Sequence, residues 1–576
     1  MSRRITTFFL LILVLFAPPI ALAKKTPKSN FRFELSGVQG AAKENITKRL
    51  EIIQKSYPTP LSERDINAIY AKAPEEIREA MKPYGFFKAL INTNLTHVKD
   101  QWVAHYEIFE GPIMPITRVN IQVTGDGENS ETLKKLIDDF PIKNGDRFIL
   151  SKYESARNDL LNAAEQHGYI YAKYTHDEIV IDMTTYSAKI IFHLDTGKQY
   201  RFGDIIFHSK VYSDAFLKCF LTIKSGDIYS SDKLVALQES LARSVFFSSA
   251  AIDPNTNDVN NVDVPITINT KPSSARKYRY GIGYGTYTEL RGSIELTYRH
   301  LTDSGHYARI FLNGSAIQAG ITAQYVIPGS KPLTDQLIIG AQKKRETPNT
   351  GFTDLTNASL NYLWAINRWN FKIGSAYQFE SYRVTDEDAV ERTNFFMPEF
   401  NMGYDGADHP FNPTKGFTLN LNVRGADEAL LSDTSFTQET LTGRFLIPIS
   451  INNRALLRGK IGVTQTSDLD NLPLSIRYKT GGIGSLRGFS YDDIGPGQYT
   501  KELSLELQHR VTGGLYIAAF ADTGIAADEV SHSMEKSVGP ALVYQSPFGS
   551  ISISYAKAIT KDGQPWRLEF NIGTTL

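Results

Sequence analysis

The sequence predicts three α+β repeats followed by an all-β antiparallel transmembrane barrel of about 16 strands. Three observations carry this prediction: a secretory signal at the N-terminus, a stretch that recurs after about 80 residues, and a change from helical to alternating hydrophobicity near Lys277. A chain of 576 residues is too long for one core, so several domains, or one domain beside a large barrel, are expected. Lys plus Arg and Asp plus Glu both total 62. With a pI near 7.2, no global field draws nucleic acid or anionic lipid, and nucleic acid is not an expected partner. The chain holds 29 Tyr, 32 Phe and 42 Gly at a mean hydropathy of -0.25, a mixture suited to many strands and turns.

The opening residues, MSRRITTFFLLILVLFAPPIALA, place Arg3 and Arg4 before an apolar run from Phe8 to Phe16 and end in Ala21-Leu22-Ala23. Residues 1–23 therefore read as a signal peptide cleaved before Lys24, because the run is too short for a stable spanning helix. No later stretch offers ~18 consecutive apolar residues, so a membrane crossing by the mature chain must use a closed barrel. Cys219 is the only cysteine, which rules out an intrachain disulfide and a cysteine metal site; it reads as a small buried apolar residue. The 11 histidines lack metal-ligand spacing, and G-x-S-x-G, H-E-x-x-H and P-loop patterns are missing. No catalytic residue, metal or cofactor is expected, and the chain is not expected to be an enzyme.

The repeat is clearest where FPIKNGDRFILSK, Phe140 to Lys152, aligns with LTIKSGDIYSSDK, Leu221 to Lys233. Tyr153, Ala156 and Leu160 then correspond to Leu234, Leu237 and Leu241, a helical stripe turned toward a core. Gly168-Tyr169-Ile170 and Val245-Phe246-Phe247 follow these helices and open strand pairs ending in Tyr186 to Leu194 and Val264 to Ile268. A fainter first copy runs from a helix over Glu63 to Met81 into Tyr84-Gly85-Phe86-Phe87 and a strand around Val103 to Phe109. Phe31 to Leu35, Ile116 to Val123 and Phe202 to Phe207 open the three units, each reading strand, two helices, two strands. This order resembles the polypeptide-transport-associated (POTRA) domains that precede the barrels of outer-membrane assembly proteins. The expected domains are 24–113, 114–200 and 201–274, with the barrel over 275–576. A sheet of so few strands leaves edges that a client or partner strand can pair with, unless loops or neighbouring domains cap them.

In the second half, Leu503, Leu505 and Leu507 alternate with Ser504, Glu506 and Gln508, and Leu568, Phe570 and Ile572 alternate with Arg567, Glu569 and Asn571. Period two with one apolar face suits a lipid-facing exterior and a wet lumen, and about 300 residues at ~10 per strand plus connections gives roughly 16 strands. A soluble β-sandwich alternates in the same way, and the signal peptide favours the membrane. Tyr298, Tyr325, Trp364 and Trp369 suit interfacial girdles, and Val384 to Thr393 suits a surface loop.

Three segments carry a further resemblance. Tyr404 to Gly416 is similar to the Asp-x-x-Asp-x-Pro-x-x-Pro-x-x-Gly signature of the BamA/TamA superfamily, with Asp405, Asp408, Pro410, Pro413 and Gly416 in place. Gly481 to Phe489 looks like the Arg-Gly-aromatic tip of the long loop that folds back into such barrels, which gives Gly484, Leu486, Arg487, Gly488 and Phe489 as lid-loop residues; Leu486 stands where the family often has Val. Phe520-Ala521-Asp522-Thr523-Gly524 is similar to the family's Phe-x-Asp-x-Gly motif on the facing inner wall. Along one strand, Phe520, Asp522 and Gly524 share a face, so a lumenal Asp522 can accept a bidentate hydrogen bond from Arg487, and Gly524 leaves room for the loop. At the expected closure of the barrel, Gly281, Gly283 and Gly285 occupy alternate positions of the first strand, and Phe570, Ile572 and Gly573 belong to the last. The glycines either weaken that seam into a lateral gate or relieve lumen crowding and allow curvature.

The whole pattern resembles the TamA branch of the superfamily, the outer-membrane subunits of translocation and assembly modules. That resemblance implies an outer-membrane protein with its repeats in the periplasm. It also implies unfolded β-barrel clients such as autotransporters, a TamB-like inner-membrane-anchored partner reached through the POTRA domains, and contact with outer-membrane lipids. Three rival readings remain. A BamA-like general assembly factor carries more repeats. A two-partner secretion translocator threads its client through the lumen and carries a plug helix, for which Lys24 to Asn30 is too short. A passive pore or receptor would leave the repeats without a purpose.

Overall fold

The computed structural model describes residues 30–573 except 100, 257–260, 348–350, 385–387, 410–412 and 547–548. The signal peptide, part of the 384–393 loop and Pro410 of the Asp-Pro signature lie outside the described residues.

The first repeat runs β1 Phe31–Ser36, α1 Gly40–Lys55, α2 Glu63–Met81, β2 Leu90–Val98 and β3 Gln101–Phe109. Helix α2 starts at a capping box, in which Ser62 Oγ accepts from Asp65 N at 3.2 Å and the Asp65 carboxylate accepts from Ser62 N at 3.1 Å. Its buried stripe, Ile66, Ile69, Ala73, Ile77 and Ala80, follows the helical period. The second repeat is β4 Ile116–Thr124, α3 Glu131–Asp138, α4 Leu150–Gln166, β5 Lys173–Asp182 and β6 Ser187–Asp195. The third is β7 Arg201–His208, α5 Asp214–Lys218, α6 Ser231–Arg243, β8 Phe247–Pro254 and β9 Asp263–Pro272. All three sheets share one order, β1-β3-β2, β4-β6-β5 and β7-β9-β8, so the last strand of each repeat is central. β1 pairs parallel with β3, and β4 with β6. A parallel pair needs a long crossover, which the two helices supply.

The stripes expected from the repeat are buried: Tyr153, Ala156 and Leu160 in α4, and Leu234, Leu237 and Leu241 in α6. Gly85 and Gly168 take φ of +81° and +89° after the second helix of their repeats, a turn that favours glycine. Cys219 corrects the sequence reading, because it is exposed rather than buried. The short α5 turns Phe216 and Leu217 inward, with Phe220 after it, which leaves Cys219 on the outer side with Sγ donating to Ala215 O at 3.4 Å.

The chain divides into two compact units. One reaches to Phe202 and adds 226–231 and the stretch up to Val264; the other holds Gly203–Ser225, Asp232–Asn257 and everything from Pro265 onward. In the second unit a barrel follows the third repeat. Its first strands are β10 Arg276–Gly285, β11 Glu289–Tyr298, β12 Tyr307–Gly314, β13 Gln318–Pro328, β14 Gln336–Glu346 and β15 Phe352–Ile366. Then come β16 Trp369–Arg383, β17 Glu391–Asp405, β18 Gly416–Ala426, β19 Phe436–Pro448 and β20 Asn453–Thr466. A long excursion holding the small pair β21 Tyr478–Thr480 and β22 Ile494–Gly497 separates these from β23 Tyr499–Thr512, β24 Leu515–Ala527, β25 Glu535–Ser546, β26 Gly549–Ala558 and β27 Trp566–Gly573. Without β21 and β22, these strands form a closed barrel of 16.

Alternation assigns the two faces. Leu503, Leu505 and Leu507 are 44–51% exposed, while Ser504, Glu506 and Gln508 are 4–6% exposed against the interior. An outward apolar and inward polar wall is what a lipid-spanning barrel needs. Tyr298, Tyr325, Trp364 and Trp369 all lie at the barrel end where β10 begins. There Trp364 stacks on Phe371 at 5.1 Å, Trp369 meets Tyr404 at 4.9 Å, and Tyr404 stacks on Phe417 at 5.0 Å, an aromatic ladder across neighbouring strands. β17 begins at Glu391, inside the segment expected as a loop, and Thr393 is buried.

Candidate functional site at the loop tip and barrel seam

The excursion between β20 and β23, residues 467–498, folds into the barrel, and its tip meets a patch built by two adjacent strands. Cross-strand pairing sets Ser504 opposite Asp522 and Glu506 opposite Phe520 on β23 and β24, all four facing inward by the strand period. Arg487 covers this patch. Its Nε donates to Asp522 Oδ2 and its Nη2 to Asp522 Oδ1, both at 2.8 Å, and its backbone N adds a third bond to Oδ2 at 3.1 Å. Nη1 pairs with Glu506, Nη2 reaches Ser504 Oγ at 3.3 Å, and the guanidinium carbon sits 3.4 Å from the Phe520 ring centroid. Arg487 and Asp522 are 4% and 3% exposed, so a fork-on-fork pair, an extra carboxylate and a ring replace water around the cation.

Neighbouring loop residues are held as closely. Leu486 is fully buried, and a Cβ added at Gly524 would lie 2.5 Å from its Cδ1. Gly488 takes φ +90° and donates its N–H to Glu569 Oε1 of β27 at 2.9 Å. Phe489 packs with Leu486 and Ala558. Gly484 has open space where a Cβ would stand, and its carbonyl accepts from Arg458 at 3.4 Å.

The stem of the loop is anchored to the other wall by residues the sequence reading missed. Glu380 of β16, 0% exposed, accepts from Ser475 N at 3.3 Å and from the Ser475 hydroxyl. Gln438 of β19 donates to Ile476 O at 2.6 Å, and Tyr478 hydroxyl donates to Glu439 O at 2.9 Å. Leu472 and Ile476 bury themselves against Phe395, Met397, Ala426 and Phe436. Alternation along β16 and β19 marks Glu380 and Gln438 as inward, but the loop partner across the lumen leaves no sequence signal.

At the seam, β10 and β27 pair only through Tyr284 with Ile572 and Gly285 with Asn571 among the described residues. Beyond them, Thr286 N donates to Phe570 O at 2.9 Å and Phe570 N to Thr286 Oγ1 at 2.7 Å. By contrast, β10 matches β11 through 10 register pairs and β27 matches β26 through 8. Gly283 and Gly285 are buried on the inner face, while Tyr280 and Ile282 point outward at 72% and 79% exposure. Gly285, Phe570 and Ile572 thus meet at the seam. Gly281 pairs with Ser293 and Gly573 with Ser550, and the two are not brought together.

Tyr287, in the turn after β10, links the seam to the loop. Its hydroxyl donates to Glu569 Oε1 at 2.5 Å and lies 2.8 Å from Phe489 O. Burial, then the Glu569 carboxylate, pushes this phenol well above its ordinary range and keeps it a donor. Arg567 of β27 donates to Ser490 Oγ at 2.7 Å. In the turn between β17 and β18, Asp408 Oδ1 accepts from Thr414 N at 2.9 Å and Lys415 N at 3.2 Å, and its other oxygen accepts from the Thr414 hydroxyl. The Thr414 hydroxyl, with the two backbone amides, pulls the Asp408 carboxyl down to about 2.

Comparison with known proteins places this arrangement. Residues 240–576 match the Omp85 superfamily domain, 32–109 match the POTRA domain called TamA domain 1, and 200–271 match the POTRA family described as surface antigen variable number repeat. Outer membrane protein assembly factor BamA of Nitratidesulfovibrio vulgaris is 22% identical over 536 residues, covering 85% of this chain. The chain spans 66% of that relative's length. In fold it is similar to the crystal structure of Haemophilus ducreyi BamA lacking POTRA domains 1-3, with a TM-score of 0.67 at 18% identity, over 80% of this chain and 99% of that one. CdiB from Acinetobacter baumannii aligns at a TM-score of 0.46 and 12% identity over 81% of this chain and 90% of that one. A barrel of 16 strands with an inward loop, preceded by POTRA repeats, makes this chain a member of the Omp85 superfamily, seated in the bacterial outer membrane with its N-terminal repeats in the periplasm.

Proposed function

We propose that this protein assists insertion and secretion of β-barrel clients, autotransporters among them, by opening sideways between β10 and β27 and offering the freed edge to client strands. The observation that carries the reading is that, among the described residues, the seam register holds two pairs beside neighbours of 10 and 8. Each ladder pair left out removes backbone hydrogen bonds, so the closure with fewest pairs costs least to part and leaves N–H and C=O groups for an incoming strand. Loop packing across the lumen argues against threading a client through the barrel, which would first have to displace the buried Arg487 and Leu472 contacts.

Strand length supports a role for the surrounding lipid. β10 to β14 hold 8–11 residues each, whereas β15, β16 and β17 hold 15 each. The wall beside the seam is therefore shorter, and a bilayer matched to it thins there, lowering the barrier to insertion. The outer strands of the periplasmic sheets suit strand addition by a TamB-like partner or an unfolded client. The lid-loop residues, the inner-wall motif and the seam glycines serve this cycle by holding the loop and setting the closure. Gly285→Cys with Asn571→Cys, in a Cys219→Ser background, tests the route in cells. Oxidation is expected to stop client insertion; complete locking with unchanged insertion overturns it.

A further inference from the structure

We propose that Tyr287 and Glu569, assisted by Arg567, form a latch through which the loop tip holds the seam closed; this deepens the sideways-opening reading and rests on it. Three segments far apart in sequence meet at one carboxylate oxygen. Glu569 Oε1 of the last strand receives the Gly488 N–H of the loop at 2.9 Å and the Tyr287 hydroxyl of the first hairpin at 2.5 Å. The same hydroxyl lies 2.8 Å from Phe489 O, so its single proton is shared between the last strand and the loop. Arg567, two residues before Glu569 and on the same face, donates to Ser490 Oγ, and its guanidinium carbon lies 5.5 Å from the Tyr287 ring centroid.

Burial turns these bonds into a coupling. Glu569 is 0% exposed, and its Oε2 has no hydrogen-bond partner among the described residues, so the carboxyl depends on the two donors at Oε1. If β27 leaves β10, the Tyr287 bond breaks; if the loop rises, the Gly488 bond breaks. Either motion alone strands a buried acceptor with half its donors, whereas both together let water reach it. The two motions therefore favour each other. Because the backbone ladder at this seam has two register pairs among the described residues, the side-chain bonds beside them weigh heavily in its closure. Arg487 does not supply this link, since its partners stand on β23 and β24, away from the seam.

Hydrogen exchange on the purified full-length protein in lipid nanodiscs tests the latch. Tyr287→Phe and Glu569→Ala are expected to speed amide exchange about tenfold in both 282–288 and 566–571, and also in 484–490, with the β15–β16 hairpin unchanged. Glu569→Gln keeps an oxygen at the Oε1 position and is expected to restore most of the protection. Faster exchange in the loop without the seam overturns the coupling, and unchanged exchange in both overturns the latch. Should Glu569→Ala loosen the whole barrel, Tyr287→Phe decides alone. The gate fails separately: a locked seam that leaves insertion intact refutes sideways opening whatever the exchange rates.

Discussion

At the scale of the residue, Arg487 settles the loop by satisfying two buried carboxylates at once. Truncating it removes the cation shared by the buried Asp522 and Glu506, a loss on the order of 3–5 kcal/mol for a buried pair. Arg487→Ala should therefore free the loop while the barrel is still made, read as faster proteolysis within 467–498 and impaired client assembly. A wild-type digestion pattern would count against the anchor. Asp522→Asn keeps an acceptor and should have a smaller effect. Asp408 titrates differently from an unfolded Asp, since its folded value is depressed to about 2. Its contribution to the turn is complete above the ordinary value of 3.8 and disappears as pH falls through about 2. Nuclear magnetic resonance shifts of the Thr414 and Lys415 amides should hold at pH 4 and move near pH 2. Arg487 facing Asp522 was legible from two motifs and the strand period. Glu506 was legible only as an inward position, because its meeting with Arg487 depends on where a distant loop comes to rest.

At the scale of the element, the close approach of Leu486 to β24 fixes how far the loop enters. Gly524→Ala places a methyl group where Leu486 Cδ1 stands and should lift the tip, lowering the protection of residues 484–490 toward that of Arg487→Ala. Normal protection would place the constraint elsewhere. The repeats follow the same principle of burial by period. Leu237 of α6 is 0% exposed, so Leu237→Ala should cost about 2–5 kcal/mol, measurable as a lower unfolding midpoint of the third repeat. These helices were readable because an i, i+3, i+7 stripe repeats in register. Cys219 was misread because α5 is only 5 residues long, too short for periodicity to assign its faces.

At the scale of the whole molecule, the proposed sideways opening divides two jobs between the loop in the lumen and the seam: the loop would block a permanent pore, and the seam would leave a place to open. Arg487→Ala should raise single-channel conductance in planar bilayers, whereas the oxidised Gly285→Cys/Asn571→Cys pair should block insertion without changing conductance. A seam lock that alters conductance alone would point to a passive pore.

Sequence alone determined the order of parts. Repeat spacing, helical stripes and strand alternation depend on local period, and local period survives without knowledge of distant contacts. It also named both halves of the Arg487–Asp522 pair. Only the tertiary structure decided that Glu380 and Gln438 hold the loop stem, that Tyr287 meets Glu569, and that β10 and β27 share two register pairs among the described residues. Each of these depends on which residues a closed cylinder brings together across its lumen or its seam, a geometry that no stretch of neighbouring residues encodes.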